Sequence, residues 1–366
     1  MKLCAKKVLG LLVLADKYNI PDLKDSCSVY MRNHLVSLPD QSKAIVWYQY
    51  ALACNSTHLQ QTCLNYIVLN MDTVIQSADW IYLDRDNLIM ILERSDMIVE
   101  SEYVLLQAVV RWLSDEARST DDMRDHLRDV LPYIRFPMIL PEHLAEFEES
   151  AFEREHHQLF AAYMLAAYRY HALSIKGRKE AVSGTAASGV PALQYAYRNY
   201  SDDTYSIHVD VVRKSIRSCP RVSSKVERPL SLPTSVCNVA QERQCKMKVT
   251  FYPQGFYTTS LWNGQLNLAK STDQTRLVVS HRGGVELRTA EVSVVIYAQQ
   301  NDVRYVDYAI TRRHTFETYG AYEIDNVIDI DRLKADASSF VIDGAVHIKV
   351  FVRPITFHNN VSPMPM

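Results

Sequence analysis

His156 and His157 are a histidine pair in a helical stretch, and such a pair invites a metal-site reading. The helix geometry argues against it. Neighbouring helical residues point about 100° apart and cannot both face one ion. His156 falls on an apolar stripe and His157 off it, so the first is expected to pack and the second to face water. Glu146, Glu148, Glu149, Glu153 and Glu155 crowd a helix junction and read as a solvated face rather than paired catalytic carboxylates. Gly283-Gly284 is followed by strand-like Val285-Glu286-Leu287, which suits a hairpin turn and not a phosphate-binding helix start. Arg312-Arg313-His314 is a basic spot too small to indicate nucleic acid. No nucleophile elbow, P-loop, dinucleotide fingerprint, H-E-x-x-H helix or EF-hand loop occurs. No catalytic residue, metal ligand or cofactor is therefore assigned. An enzyme would have to use an unfamiliar constellation.

The seven cysteines lack C-x-x-C spacing, and their odd number closes no disulfide framework. They are expected as buried free thiols. Three sequons, at Asn55, Asn199 and Asn360, matter only if the chain is secreted. The formal net charge of −2 gives no field for nucleic acid or an anionic membrane. No apolar run reaches the roughly 18–20 residues that span a bilayer. Lys2, Lys6 and Lys7 before Val8–Ala15 resemble a short signal peptide. An amphipathic helix continuing through Asp16-Lys17-Tyr18 competes with that reading and is preferred. Among 22 tyrosines, Tyr297, Tyr305 and Tyr308 are candidate surface aromatics, with cross-strand packing as the plainer role.

The elements that would position these residues fall into two kinds. Residues 1–36 read as two helices broken at Ile20-Pro21. Helices follow at about 40–53, 57–70, 72–78, 85–93, 101–116, 120–131, 142–149 and 152–172. Ser101, Asp72, Asp84 and Thr120 stand at expected N-caps, and Pro141 at a first helical position. In the most regular of these helices Leu105, Ala108, Val109, Trp112 and Leu113 make one apolar stripe. Residues 174–190 hold three glycines with Ser, Ala and a Lys-Gly-Arg-Lys-Glu cluster, a flexible-linker composition. From 191 to 357 the period changes to two. Segments 205–211, 246–251, 292–297 and 346–353 alternate as strands of an antiparallel sandwich, with Pro354 at a strand end or edge. The fold class expected is α+β multidomain: an all-α bundle at 37–173, a linker at 174–190, a β-sandwich at 191–357 and a tail at 358–366.

Asp96, Val99-Glu100-Ser101-Glu102 and the aliphatic run to Arg111-Trp112-Leu113 resemble the signature helix of a BACK domain. Leu11–Cys27, with Ala15, Lys17-Tyr18, Pro21, Leu23 and Cys27, resembles the last two helices of a BTB/POZ domain. On that resemblance the chain begins inside its BTB domain. Val8, Leu11, Leu12 and Leu14 would then form an exposed patch that could be deleted with residues 1–36 without loss. Ile328–Leu333 and the Ser339–Val346 hairpin resemble a TRAF/MATH sandwich. The tail lacks the repeated double glycines of kelch blades. The resemblance implies a non-enzymatic scaffold with protein partners, self-association through a complete BTB domain, and peptide ligands laid on the sandwich. Members of the branch related to galectin-3-binding protein carry signal peptides, which implies a secreted glycoprotein. The alternative is a cytoplasmic substrate adaptor of a cullin-3 ubiquitin ligase, with residues 40–70 contributing to the cullin surface.

Overall fold

Ser101 opens the helix around which the N-terminal half is built. Its hydroxyl accepts the Val104 amide at 3.3 Å, and α7 (Glu102–Leu113) follows. Leu105, Leu106, Val109, Trp112 and Leu113 are buried. The Trp112 indole donates to the Leu83 carbonyl at 2.7 Å, and the Trp80 indole donates to Ala108 at 2.7 Å. Both rings are thus enclosed without leaving an N–H unpaired. The computed structural model describes residues 5–357 except 116–119, 175–176, 179, 181–189, 218–224, 234–243, 263–264, 273, 285–286, 317–319 and 336–337.

The other helices of this half are α1 (Ala5–Lys17), α2 (Pro21–Asn33), α3 (Ala44–Ala53), α4 (Thr57–Leu69), α5 (Met71–Val74), α6 (Arg85–Glu93), α8 (Thr120–Val130), α9 (Pro141–Glu148) and α10 (Ala151–Ala172), and the sandwich half holds two short helices, Arg213–Arg217 and Ile330–Lys334. Asp84 caps α6 by accepting the Asn87 amide at 2.9 Å, and Pro141 begins α9. Asp72 is not a cap. It lies inside the single turn of α5, and its carboxylate accepts the Glu100 amide at 2.7 Å. Tertiary contact has taken the side chain that sequence spacing assigns to a helix start. Helix α10 is kinked at His156, whose backbone is non-helical (φ −112°, ψ 17°).

Helices α1 and α2 belong to the helical core. Val8 and Leu12 are buried with Cys27 and Met31, while Leu14 is 47% exposed. The expected patch is therefore half core, because one stripe of α1 turns inward onto the rest of the bundle. Part of the expected linker is also held down. Arg178 is buried and donates through Nε to Tyr170 O at 3.0 Å and through Nη2 to His171 O at 3.2 Å. Val190 joins the helical core, and 181–189 lie outside the described residues.

The second half is an antiparallel sandwich. One sheet runs β10 (Val303–Thr315), β9 (Leu287–Gln300), β13 (Ala345–Phe357), β3 (Ser206–Val212), with the short β12 (Val341–Ile342) pairing with the start of β13 on the edge that β9 takes farther along. The other runs β11 (Ala321–Asp325), β8 (Arg276–Gly284), β5 (Cys245–Tyr252), β4 (Val226–Leu232). β6 (Phe256–Trp262) and β7 (Gln265–Thr272) pair as a separate ribbon. Val209, Val294, Ile348 and Val350 meet Met247, Val249, Phe251 and Leu277 between the sheets. Asp343 and Gly344, both at positive φ (50° and 79°), turn β12 into β13 as the primed geometry of a two-residue hairpin requires. Pro354 sits where β13 has outrun β3, beside a bulge, so the missing N–H is tolerated.

Gly283-Gly284 is not a hairpin turn. The two glycines end β8, paired to Lys246 and Cys245, and the chain then crosses to the other sheet. A Cβ on Gly284 would stand 1.9 Å from the Gln244 carbonyl oxygen, at φ +83°, so only glycine fits.

Two outcomes follow from this packing. Deleting residues 1–36 should lower the thermal midpoint and promote aggregation, because it strips cover from the helical core; an unchanged melt would show that α1 and α2 are dispensable. Trp112→Ala should cost roughly 3–5 kcal/mol in a denaturant titration, from lost burial and a cavity.

Candidate functional site

The helical half and the sandwich meet along a seam organised by the connector at 190–200. Gln194 is enclosed. Its amide donates to Leu131 O at 3.2 Å and Pro132 O at 2.8 Å, and its oxygen accepts the Phe136 amide at 3.1 Å. β2 (Asn199–Tyr200) then pairs in parallel with β1 (Ile98–Val99) of the helical half. Beneath this pair lies Glu102, the first residue of α7, only 1% exposed. Its carboxylate accepts Arg198 Nε at 3.0 Å, the Tyr200 hydroxyl at 2.6 Å and the Arg135 backbone amide at 2.9 Å. Arg198 also donates to Tyr133 O at 2.9 Å and to Arg94 O. The Arg135 guanidinium donates to Ala196 O at 3.2 Å and Ser95 Oγ at 2.8 Å.

Burial alone would raise the Glu102 carboxyl. The Arg198 and Arg135 charges, with hydrogen bonds from Arg198 and Tyr200, outweigh it and hold the group below its ordinary value. Burial, reinforced by the neighbouring Arg198 charge, pushes Arg135 down to about 10. Asp72, accepting from Glu100 and from Ser201 of the connector, is raised by burial.

The sandwich docks through the outer face of its first sheet. Val295, Val306 and Phe351 cluster with Ile98, and Leu69 packs against them. Arg353 of β13 donates to Tyr197 O at 3.1 Å, and also to Ser95 O and the Glu291 carboxylate. Lys349, equally buried, donates to Ser201 O at 2.8 Å and Asp203 Oδ1 at 2.6 Å. Asn70, between α4 and α5, acts on the sheet edge. Its Oδ1 accepts the Val306 amide at 2.7 Å and its Nδ2 donates to the Val306 carbonyl at 3.1 Å. One carboxamide thus occupies the place of a neighbouring strand's peptide group.

The residues singled out by sequence distribute around this seam rather than converging. His156 is buried, and His157 is exposed with its Nδ1 2.7 Å from Glu153 Oε1. Glu153 departs from the expected solvated face: it is buried beneath the kink of α10, its backbone amide capped by Ser150. The other four glutamates of the cluster are exposed. Tyr297, Tyr305 and Tyr308 are half-buried. Tyr297 lies under Arg304 at 4.3 Å, Tyr305 meets Tyr66 across the seam at 6.4 Å, and Tyr308 packs on the sandwich core. Cys27, Cys63 and Cys245 are buried free thiols, and Cys54 is partly exposed and free.

Asn55 sits exposed in the α3–α4 turn at φ 52°. Asn199 is 2% exposed and its Nδ2 donates to Asp96 O at 3.0 Å, so a glycan cannot be accommodated there in the folded chain. Asn360 lies outside the described residues. Sequence reading passed over Arg198, Arg135, Gln194 and Asn70. A basic residue spaced far from its acid, or a lone Asn before a short helix, carries no local pattern. Glu102 stands in the sequence within the Val99–Glu102 stretch of the signature helix, with no local sign of its distant partners.

Residues 44–149 match the family model described as BACK, BTB And C-terminal Kelch, and residues 195–356 match the BTBD17 TRAF domain model. The chain thus carries a region similar to the BACK model followed by one similar to the BTBD17 TRAF domain model. Among curated relatives, BTB/POZ domain-containing protein 17 of Xenopus tropicalis is 32% identical over 162 residues, 44% of this chain and 34% of the relative. The Homo sapiens protein of that name is 32% identical over 44% of this chain and 33% of its own length. Galectin-3-binding protein of Pongo abelii is 30% identical over 43% of this chain and 26% of the relative. The match spans about a third of the first of these relatives. The TRAF match begins at residue 195, within the connector whose Tyr195 and Tyr200 are buried in the helical core. Among the described residues no helix is long and apolar enough to cross a membrane.

Arg198→Met should cost about 3–5 kcal/mol, since it leaves the Glu102 carboxylate buried without its charge partner. A loss under 1 kcal/mol in chemical denaturation would mean that the pair is structurally idle. The lowered Glu102 value also gives a pH signature. Its contribution is complete above the ordinary glutamate value of 4.5 and is lost as pH falls through 4.5 towards the lower folded value. In Glu102→Gln this part of the acid destabilisation should vanish from a pH series of melts. Asn70→Ala should cost roughly 1–3 kcal/mol and speed hydrogen exchange at the Val306 amide.

Proposed function

We propose that this chain is a non-enzymatic protein-interaction scaffold in which the BACK domain is a fixed mount for the TRAF sandwich. One observation carries this reading: the connector is bonded into the BACK domain through Glu102, while Arg353, Lys349 and Asn70 tie the sandwich to the same surface. Such a joint sets the direction in which the sandwich faces a partner. Self-association through a BTB domain belongs to the same proposal for the whole protein. Crosslinking mass spectrometry on the protein purified with its partners should place partner crosslinks on exposed sandwich lysines such as Lys246. Crosslinks confined to the BACK domain would overturn the reading.

Two compartments are each favoured by an observation. The exposed Asn55 sequon suits a secreted glycoprotein, in keeping with the galectin-3-binding protein relatives. The four free cysteines among the described residues suit a reducing compartment and hence the cullin-3 adaptor alternative. In that alternative the C-terminal end of α4 is already engaged by the sandwich, leaving α3 and the start of α4 for a cullin. Treatment of the native protein with peptide N-glycosidase decides between them. A mobility shift that Asn55→Gln removes and Asn199→Gln does not is the outcome expected of the secreted form. No shift favours the adaptor.

A further inference from the structure

A cleft of about 250 Å³ opens in the seam where α4 faces the sandwich. At roughly 30 Å³ per water it has room for about eight waters, or for one compact molecule of that size. Its walls come from both halves of the chain: α4 and the segment after α6 on one side, β2, β9 and β10 on the other.

The polar groups of this cleft are more telling than its volume. Asn199 lines it and is only 2% exposed. Its Nδ2 donates to the Asp96 carbonyl at 3.0 Å, which fixes the orientation of the amide, and its Oδ1 has no hydrogen-bond partner among the described residues. A buried amide oxygen without a donor is costly, so this one marks a place where a donor is to be supplied. Across the cleft the hydroxyls of Ser293 and Thr311 lie 2.9 Å apart. They share one hydrogen between them, which leaves the other O–H to bond elsewhere. At the mouth Arg94 grips Asp96 through Nε at 2.9 Å and Nη2 at 2.6 Å. The two charges cancel, and both side chains are about a third exposed (32% and 39%).

This set discriminates by chemistry. A carboxylate only accepts, and would face Asp96 and the Asn199 oxygen. An ammonium only donates, and would face the Arg94 guanidinium. A hydroxyl does both, so it can donate to Asn199 and also bond with the Ser293–Thr311 pair. Leu69 and Val295 offer apolar wall for C–H groups between the hydroxyls. We propose that the cleft binds a small uncharged polyol, up to the size of a monosaccharide, with one hydroxyl donating to Asn199 Oδ1 and another joined to Ser293 and Thr311. Such a ligand touches the BACK domain and the sandwich at once. The site goes beyond the scaffold reading and does not depend on it.

Saturation-transfer difference NMR on the full chain tests this, with erythritol and D-glucose as uncharged probes and gluconate and glucosamine as charged ones. At least one uncharged probe should receive saturation, and both charged probes should bind more weakly than it does. Thr311→Val keeps the shape of the side chain and removes its hydroxyl; it should weaken binding about threefold to tenfold, the range of one neutral hydrogen bond. Thr311→Ser restores the hydroxyl and should restore binding. Ala309→Leu, which fills the cleft, should abolish it, and if that chain fails to fold the Thr311 pair of variants decides alone. Saturation of neither uncharged probe would overturn the proposal and leave the cleft to water. Equal or tighter binding of gluconate or glucosamine would overturn the chemical class. Binding that Thr311→Val leaves unchanged would place the probe elsewhere and remove the site.

Discussion

The rest of this structure depends on a buried carboxylate at the start of one helix. Glu102 lies where the α7 dipole already favours negative charge, and three donors from two distant segments converge on it. A charge so placed is tolerated only while its partners are present. Arg198 and Tyr200 supply two of them, so the connector cannot leave without stranding the carboxylate. The first link between the domains is thus a condition of burying Glu102.

The position of the sandwich follows from that anchor. With residues 199–200 laid beside Ile98-Val99, the first strand of the sandwich starts close to the BACK surface, and the outer face of its sheet is carried onto that surface. Val292–Ile296 of β9 are consequently buried at every position, where a half-exposed strand would alternate. Most polar groups on this face are paired, the Arg353 Nε excepted. Lys349 and Arg353 find connector carbonyls and nearby carboxylates, and Asn70 completes the backbone of Val306. The opposite sheet's edge strand β4 and the far part of β10 stay largely exposed.

Much of this was readable in advance where the information is local. The Ser101 and Asp84 caps, Pro141 at the start of α9 and the strand alternation each depend on a few neighbouring residues. Readings failed where a distant partner overrode the local pattern. Asp72 gave up a capping role to bind Glu100, and Glu153 left the solvated cluster for the kink of α10. Gly283-Gly284 serves a close approach between strands of one sheet rather than a turn. Half of the α1 apolar stripe proved to be core.

The sequence by itself determined the kinds of elements, most of their limits, and the pairing of a helical domain with a sandwich. Periodicity and capping are carried by residues within a turn or a strand of one another. Tertiary structure alone decided the seam: that Arg198 reaches Glu102 across 96 residues and that Asn70 closes Val306 across 236. No spacing rule encodes such pairs, because they exist only once folding has brought remote segments together and removed the water that would otherwise have satisfied each group separately.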